Sequence, residues 1–202
     1  MPIVHIICAT LKPDASEDAV AQAIDLGRLL RDASGVQHAV LGHTDDHLIA
    51  VTWLEGRDAL EPFAAAPAHM AFIMRGLAPC ISGMWSAAVE SDTPLPASID
   101  TMWVFALRSV DSLFEWQVRD LLASIDALPG TAAVGPTFEE RDRYRAGGVV
   151  CLIGDEVTAF EVALGAAHAA WGPLDTSIVD SKVEMIPLLP EGDSGAPTAH
   201  DR

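Results

Sequence analysis

What most constrains the fold of this chain is that one order of elements is written into it twice. Residues 3–11 are an apolar run rich in β-branched side chains, which predicts a strand. Lys12-Pro13-Asp14 then turns into a helix with Asp14 or Ser16 as its cap and acidic residues in the first turn, ended by Gly35. Residues 36–41 and 47–54 are predicted strands on either side of Gly42-His43-Thr44-Asp45-Asp46, a hairpin turn by composition. A second helical region starts after Gly56, is punctuated by Pro62 and Pro67, and gives way to a strand over 82–90. The second half repeats this series. It has a strand at 101–109, a helix capped by Asp111 and ended by Pro129-Gly130, and strands at 131–138 and 148–153 around the charged hairpin 139–145. A helix over 155–170 and a strand over 179–188 complete it. The run Pro67-Ala68-His69-Met70-Ala71-Phe72 matches Ala166-Ala167-His168-Ala169-Ala170-Trp171, 99 residues on.

The order βαββαβ is the ferredoxin-like plan. One such sheet has helices on one face and nothing on the other, so its bare face needs a partner. Two tandem units can cover each other. The expected class is therefore α+β, with two tandem ferredoxin-like units forming a pseudo-dimeric α/β barrel. The expected divisions are a first unit over 1–91, a linker over 92–98, a second unit over 99–190 and a disordered tail over 191–202. The linker is marked by Pro94 and Pro96, the tail by polar residues with Gly and Pro.

Half the residues are apolar and a fifth charged, enough for a sizeable core. The net charge of -17 argues against nucleic acid and anionic lipid, both of which require Lys and Arg. No apolar run approaches the ~20 residues of a membrane span, and the start lacks a basic segment followed by a long apolar one, so no signal peptide is expected. Cys8, Cys80 and Cys151 are far apart and in apolar surroundings, which reads as reduced, buried thiols of a cytoplasmic protein.

The residues with chemistry to offer are histidines. Alternation puts His5, Ile7 and Ala9 on one face of their strand and His47, Ile49, Val51 and Trp53 on one face of theirs. Since these strands are neighbours in the plan, His5 and His47 are expected to meet, with His69 reaching down from the second helix. A cluster of imidazoles suits proton transfer near neutral pH. Three histidines can also hold zinc, but no HxH or HxxxH pair preorganises them here, and no metal is expected. There is no nucleotide-binding glycine loop, and no cofactor is expected. In the second half, His5 and His47 correspond to positions near Val104 and Ala146. His168 there has no imidazole partners, which marks that half as mainly scaffold.

The strand Val4-His5-Ile6-Ile7, the strand His47-Leu48-Ile49-Ala50-Val51-Thr52-Trp53 and the run from Phe63 through Pro67-Ala68-His69 to Phe72 together resemble the stress-responsive α/β-barrel (Dabb) family of the dimeric α/β-barrel superfamily. Within it, the first half is similar to the olivetolic-acid-forming plant polyketide cyclases. That resemblance implies His69 as catalytic base, His5 and His47 as pocket histidines, and Phe63 where those enzymes carry a catalytic tyrosine. Haem-degrading monooxygenases of the superfamily place their haem-ligating histidine on the position matching His69. Their asparagine and tryptophan fall on His5 and Phe63. The expected activity is a cofactor-free polyketide cyclase or lyase acting on a small apolar carbonyl compound. Its catalytic residues would be His69, His5 and His47, and Ile7, Ile49, Val51, Phe63 and Phe72 would shape the substrate pocket. The alternatives are a superfamily monooxygenase, haem-dependent or cofactor-free, and a non-catalytic small-molecule-binding protein. The expected assembly is a pseudo-dimeric monomer or a homodimer.

Overall fold

The computed structural model describes residues 1–94, 98–108, 115–137, 144–171 and 178–186. The Asp111 cap, most of the charged hairpin, the tail from residue 187 and the His168 side chain lie outside the described residues, as do linker residues 95–97. The first unit runs β1 (Ile3–Leu11), α1 (Glu17–Arg28), β2 (Val36–His43), β3 (His47–Leu54), α2 (Leu60–Ala65), α3 (Pro67–Ala71), a π-helical segment (Phe72–Leu77), the single turn α4 (Ala78–Cys80) and β4 (Ile81–Glu90). The second runs β5 (Thr101–Arg108), α5 (Glu115–Asp126), β6 (Thr131–Pro136), β7 (Tyr144–Leu152), α6 (Glu156–Trp171) and β8 (Ile178–Ile186). Ser16 is the cap of α1, its hydroxyl accepting from Ala19 N at 3.2 Å. Gly35 takes the left-handed conformation, φ 80°, that lets the chain turn back into β2.

The strands lie in the order β4-β1-β3-β2-β8-β5-β7-β6. Strands β2 and β8 join the units through Leu41, Gly42 and His43, and Val89 bridges to Thr137 just beyond β6 on the other side. Two four-stranded halves thus pack on each other as a pseudo-dimeric ferredoxin-like barrel, each covering the other's bare face. Its interior is built by both units: Val4, Ile6, Cys8, Ile49, Val51 and Trp53 meet Met102, Val104, Ala106, Val149 and Cys151. Two further layers lie outside it, between sheet and helices. One holds Ile3, Ile7, Leu48, Phe63 and Phe72, the other Trp103, Phe105, Val150 and Phe160.

All three cysteines are buried and outside any disulfide, and burial pushes the Cys151 thiol up to about 12, so it stays protonated and unreactive. Among the described residues no helix is long and apolar enough to cross a membrane.

Close packing across β6 and β7 leaves no room for a side chain at Gly148. A Cβ there would lie 2.6 Å from the Ala133 carbonyl oxygen and 2.9 Å from Val134 Cα. Gly148→Ala is expected to destabilise the protein by about 2–3 kcal/mol, read from the urea midpoint at constant slope. Gly165 on α6 has nothing within 4 Å of such a Cβ, so Gly165→Ala should instead stabilise by about 0.5–1 kcal/mol through helix propensity.

Candidate active site

The site begins with a proline. Residues preceding proline are pushed out of the helical region, and Ala66 is extended, with φ -62° and ψ 140°. Pro67 then starts α3, where its missing N–H costs nothing. This break ends α2 and leaves its last carbonyls without helical donors. Ala66 N supplies Phe63 O at 3.0 Å, and the His69 ring supplies Ala64 O at 3.0 Å through Nδ1. A carbonyl only accepts, so His69 carries its proton on Nδ1 and presents Nε2 as a bare lone pair. Immediately beyond α3 the helix widens into the π-helical segment, a feature found disproportionately beside functional sites.

His5 comes from the sheet below. It lies on β1 opposite Thr52 of β3 and Ala88 of β4, and is 8% exposed. The three rings form a cluster: His69 to Phe63 at 4.8 Å, His5 to Phe63 at 5.8 Å edge-on, and His5 to His69 at 6.2 Å. Neither His5 Nδ1 nor His69 Nε2, both buried, has a hydrogen-bond partner among the described residues. Burial, reinforced by the charge His69 would carry, lowers His5 from 6.5 to about 4. His69 is also lowered by burial, partly offset by its bond to Ala64. At neutral pH the site therefore holds two uncharged imidazoles against a phenyl ring, with two ring nitrogens unoccupied.

Of the residues expected to converge, Ile7, Phe63 and Phe72 share the helix-side layer with His5. Ile49 and Val51 do not. They pack in the barrel interior, on the other side of the sheet, because directly opposed residues share a face and the partners of Ile49 and Val51 are Cys8 and Ile6. The partner of His5 is Thr52. His47 likewise does not meet His5. It pairs with Thr10, five residues farther along β1 and so roughly 16 Å away at 3.3 Å per residue. Its Nδ1–H donates to Asp46 Oδ1 at 2.7 Å in the hairpin. The expected three-histidine cluster is thus a pair plus a separate third, and among the described residues no three His, Cys, Asp or Glu side chains converge to hold a metal ion.

Sequence reading missed the Ala64 carbonyl that orients His69. The signal was present, since a proline break exposes carbonyls in the preceding turn. It also placed the second-unit counterpart of His5 near Val104. The pairs Ile3–Leu54 and Thr101–Leu152 superpose the two units and put Trp103 there instead. Trp103 stacks on Phe105 at 4.9 Å and tilts against Phe160 at 5.6 Å, while Val104 faces the barrel interior. Trp103 and its apolar neighbours thus stand where the first unit has His5.

The fold and this cluster define a class: a tandem ferredoxin-like α/β barrel with a histidine pair between sheet and helices of one unit. Solved structures share the architecture over nearly the whole chain. An anthrone oxidase-like protein matches at TM-score 0.61 and 10% identity, covering 92% of each chain. A provisionally assigned monooxygenase from Fusobacterium nucleatum matches at TM-score 0.53 and 15% identity, covering 91% of each. A Dabb family protein of ferredoxin-like fold from Mesorhizobium loti aligns with 47% of this chain and 98% of its own, at 20% identity and TM-score 0.39. No protein-family model and no curated protein matches the sequence.

Proposed function

We propose that the chain is a cofactor-free enzyme in which His69 Nε2 removes a proton from carbon next to a carbonyl, starting an intramolecular aldol-type ring closure of an apolar polyketide-like substrate. The observation that carries this reading is the pair of enclosed, unoccupied ring nitrogens, with the His69 tautomer fixed by Ala64. Removal of the proton leaves the electron pair on the carbonyl oxygen as an enolate. The enolate carbon attacks a second carbonyl of the same molecule, forming the C–C bond. The proton held on Nε2 returns to the new alkoxide. His5 stays neutral at pH 7 and offers its ring N–H to the enolate oxygen when its proton sits on Nδ1.

The resemblance to the plant enzyme that makes olivetolic acid supports His69 as the base. Phe63 cannot supply the hydroxyl of that enzyme's tyrosine, so the apolar wall here depends on His5 for its polar partner. Haem does not fit the pair. His5 and Phe63 stand where the haem-binding relatives carry asparagine and tryptophan, and His69 Nε2 is itself buried. The enclosed nitrogens suit a compact donor such as an enol or an activated C–H. A cofactor-free oxygenase is the second reading, favoured by the anthrone oxidase-like match over the whole chain; it would begin with the same proton removal.

Proton NMR in deuterium oxide with an aryl 1,3,5-triketone tests the shared first step. The wild type should accelerate deuterium incorporation at the carbon between carbonyls, and His69→Ala should not. Absence of acceleration by the wild type overturns the proposal. Oxygen uptake with anthrone as substrate separates oxygenase from cyclase.

A further inference from the structure

A general base must be touched by its substrate, and the base of this site is not open to solvent. His69 Nε2 and His5 Nδ1 are both buried. An element packed against the two rings therefore has to move before proton transfer can begin.

Strand β1 and helices α2 and α3 carry the cluster, and two of these are anchored. β1 lies between β3 and β4 and is hydrogen-bonded along both edges. α3 runs straight into the π-helical segment, which buries Phe72, Gly76 and Leu77. Gly76 packs so closely on α1 that a Cβ there would lie 3.1 Å from Ala23 Cα. α2 has no such anchor. Of its six residues only Phe63 is fully buried, and Glu61, Pro62, Ala64 and Ala65 are exposed. A 3₁₀ turn, Arg57–Ala59, precedes it and the extended Ala66 follows it. Segments with few buried apolar contacts open most readily, and hinges sit at the ends of such elements. What ties α2 to the site is the Phe63 ring against His5 and His69, together with the His69 Nδ1–H donated to Ala64 O.

We propose that α2 is a lid over the His5–His69 pair, hinged at Gly56 and at Ala66-Pro67 and latched by the hydrogen bond from His69 to Ala64. Lifting it withdraws the phenyl ring from both imidazoles and opens a way to Nε2. Closing it restores the bond to Ala64, so the tautomer of the resting site is regained around the substrate. Its role as an access gate rests on reading His69 as the base; its motion is measured without substrate.

Diethylpyrocarbonate, which acylates unprotonated imidazole nitrogen, reads how often Nε2 is uncovered in the full chain, with each histidine followed by peptide mass mapping. His43 is exposed and serves as the reference. In the wild type His69 should react at least tenfold more slowly than His43. Burial favours the neutral form of His69, so protonation cannot account for the slower reaction. Phe63→Ala, its fold checked by circular dichroism, should speed the reaction of His69 at least fivefold and leave that of His43 unchanged. Native-state hydrogen exchange needs no variant. The amides of Ala64, Ala65 and Ala66 should exchange roughly 100-fold faster than those of Ala23 and Gly27, the buried residues of α1. The lid is overturned if His69 reacts as fast as His43 in the wild type, if folded Phe63→Ala leaves its rate unchanged, or if the α2 amides exchange as slowly as those of α1. If all three results are as expected and the wild type still fails to accelerate deuterium incorporation, the lid stands and the proton-removal reading falls.

Discussion

His69→Ala should lower turnover by about 10²–10⁴, the usual contribution of a positioned general base. At 1.36 kcal/mol per factor of ten this is about 3–5 kcal/mol of transition-state stabilisation. The size of the effect follows from how little freedom the imidazole has. Its Nδ1–H is held by Ala64 O, its face lies 4.8 Å from Phe63, and Nε2 has no competing partner among the described residues. The base is therefore already in the correct tautomer before substrate arrives. Burial lowers its pKa, which favours the neutral, reactive form over that of an ordinary histidine at the same pH. The rate should rise with pH to a plateau reached below the pH at which an ordinary histidine would be deprotonated. Folding should suffer little, because the ring is only half-buried and Ala favours helix. Steady-state kinetics on the two proteins, with thermal unfolding alongside, separate the two effects. A change below threefold in the variant would remove His69 from the chemistry.

Strand alternation alone identified which side chains share a face within β1 and within β3, and the doubled βαββαβ order was enough to require a pseudo-dimeric barrel. What alternation could not supply was the register between those strands. In an antiparallel pair a shift of one residue turns every side chain of one strand to the opposite face. The pairing of His5 with Thr52 puts His47, Ile49 and Val51 on the barrel side, although each strand read alone looks compatible with one shared pocket. The distance along the strands was also readable only with the register in hand, since His5 lies near the start of β1 and His47 opposes Thr10 near its end. His69 was legible because Pro67 marks a helix start. The same proline implied an open carbonyl in the preceding turn, but which donor would fill it depended on how α3 folds back over α2. Trp103 became the counterpart of His5 through the paired strand ends, which a count along the sequence places one residue too late.

The protein should lose stability on mild acidification in a way that His5 accounts for. In the unfolded chain His5 has its ordinary value near 6.5, whereas in the folded chain burial holds it at about 4. Above pH 6.5 both states leave the ring neutral and it adds no pH dependence. Between 6.5 and 4 the unfolded chain takes up a proton that the folded chain refuses, so stability falls as pH falls. Below 4 both states bind the proton and the loss levels off. The span from 6.5 to about 4 corresponds to about 3 kcal/mol, a large share of the 5–15 kcal/mol typical of a folded domain. His69 is lowered too and contributes in the same direction. Carboxylates also titrate in this range, so the measurement is a comparison. Urea unfolding of the wild type and of His5→Leu, which has similar volume and no titratable group, should give stabilities whose difference changes on acidification from pH 7 to pH 4. The wild type should lose about 3 kcal/mol more than the variant over that interval. Parallel curves would mean that His5 takes up its proton in the folded state, and a charged His5 beside His69 would not leave two neutral imidazoles for the chemistry.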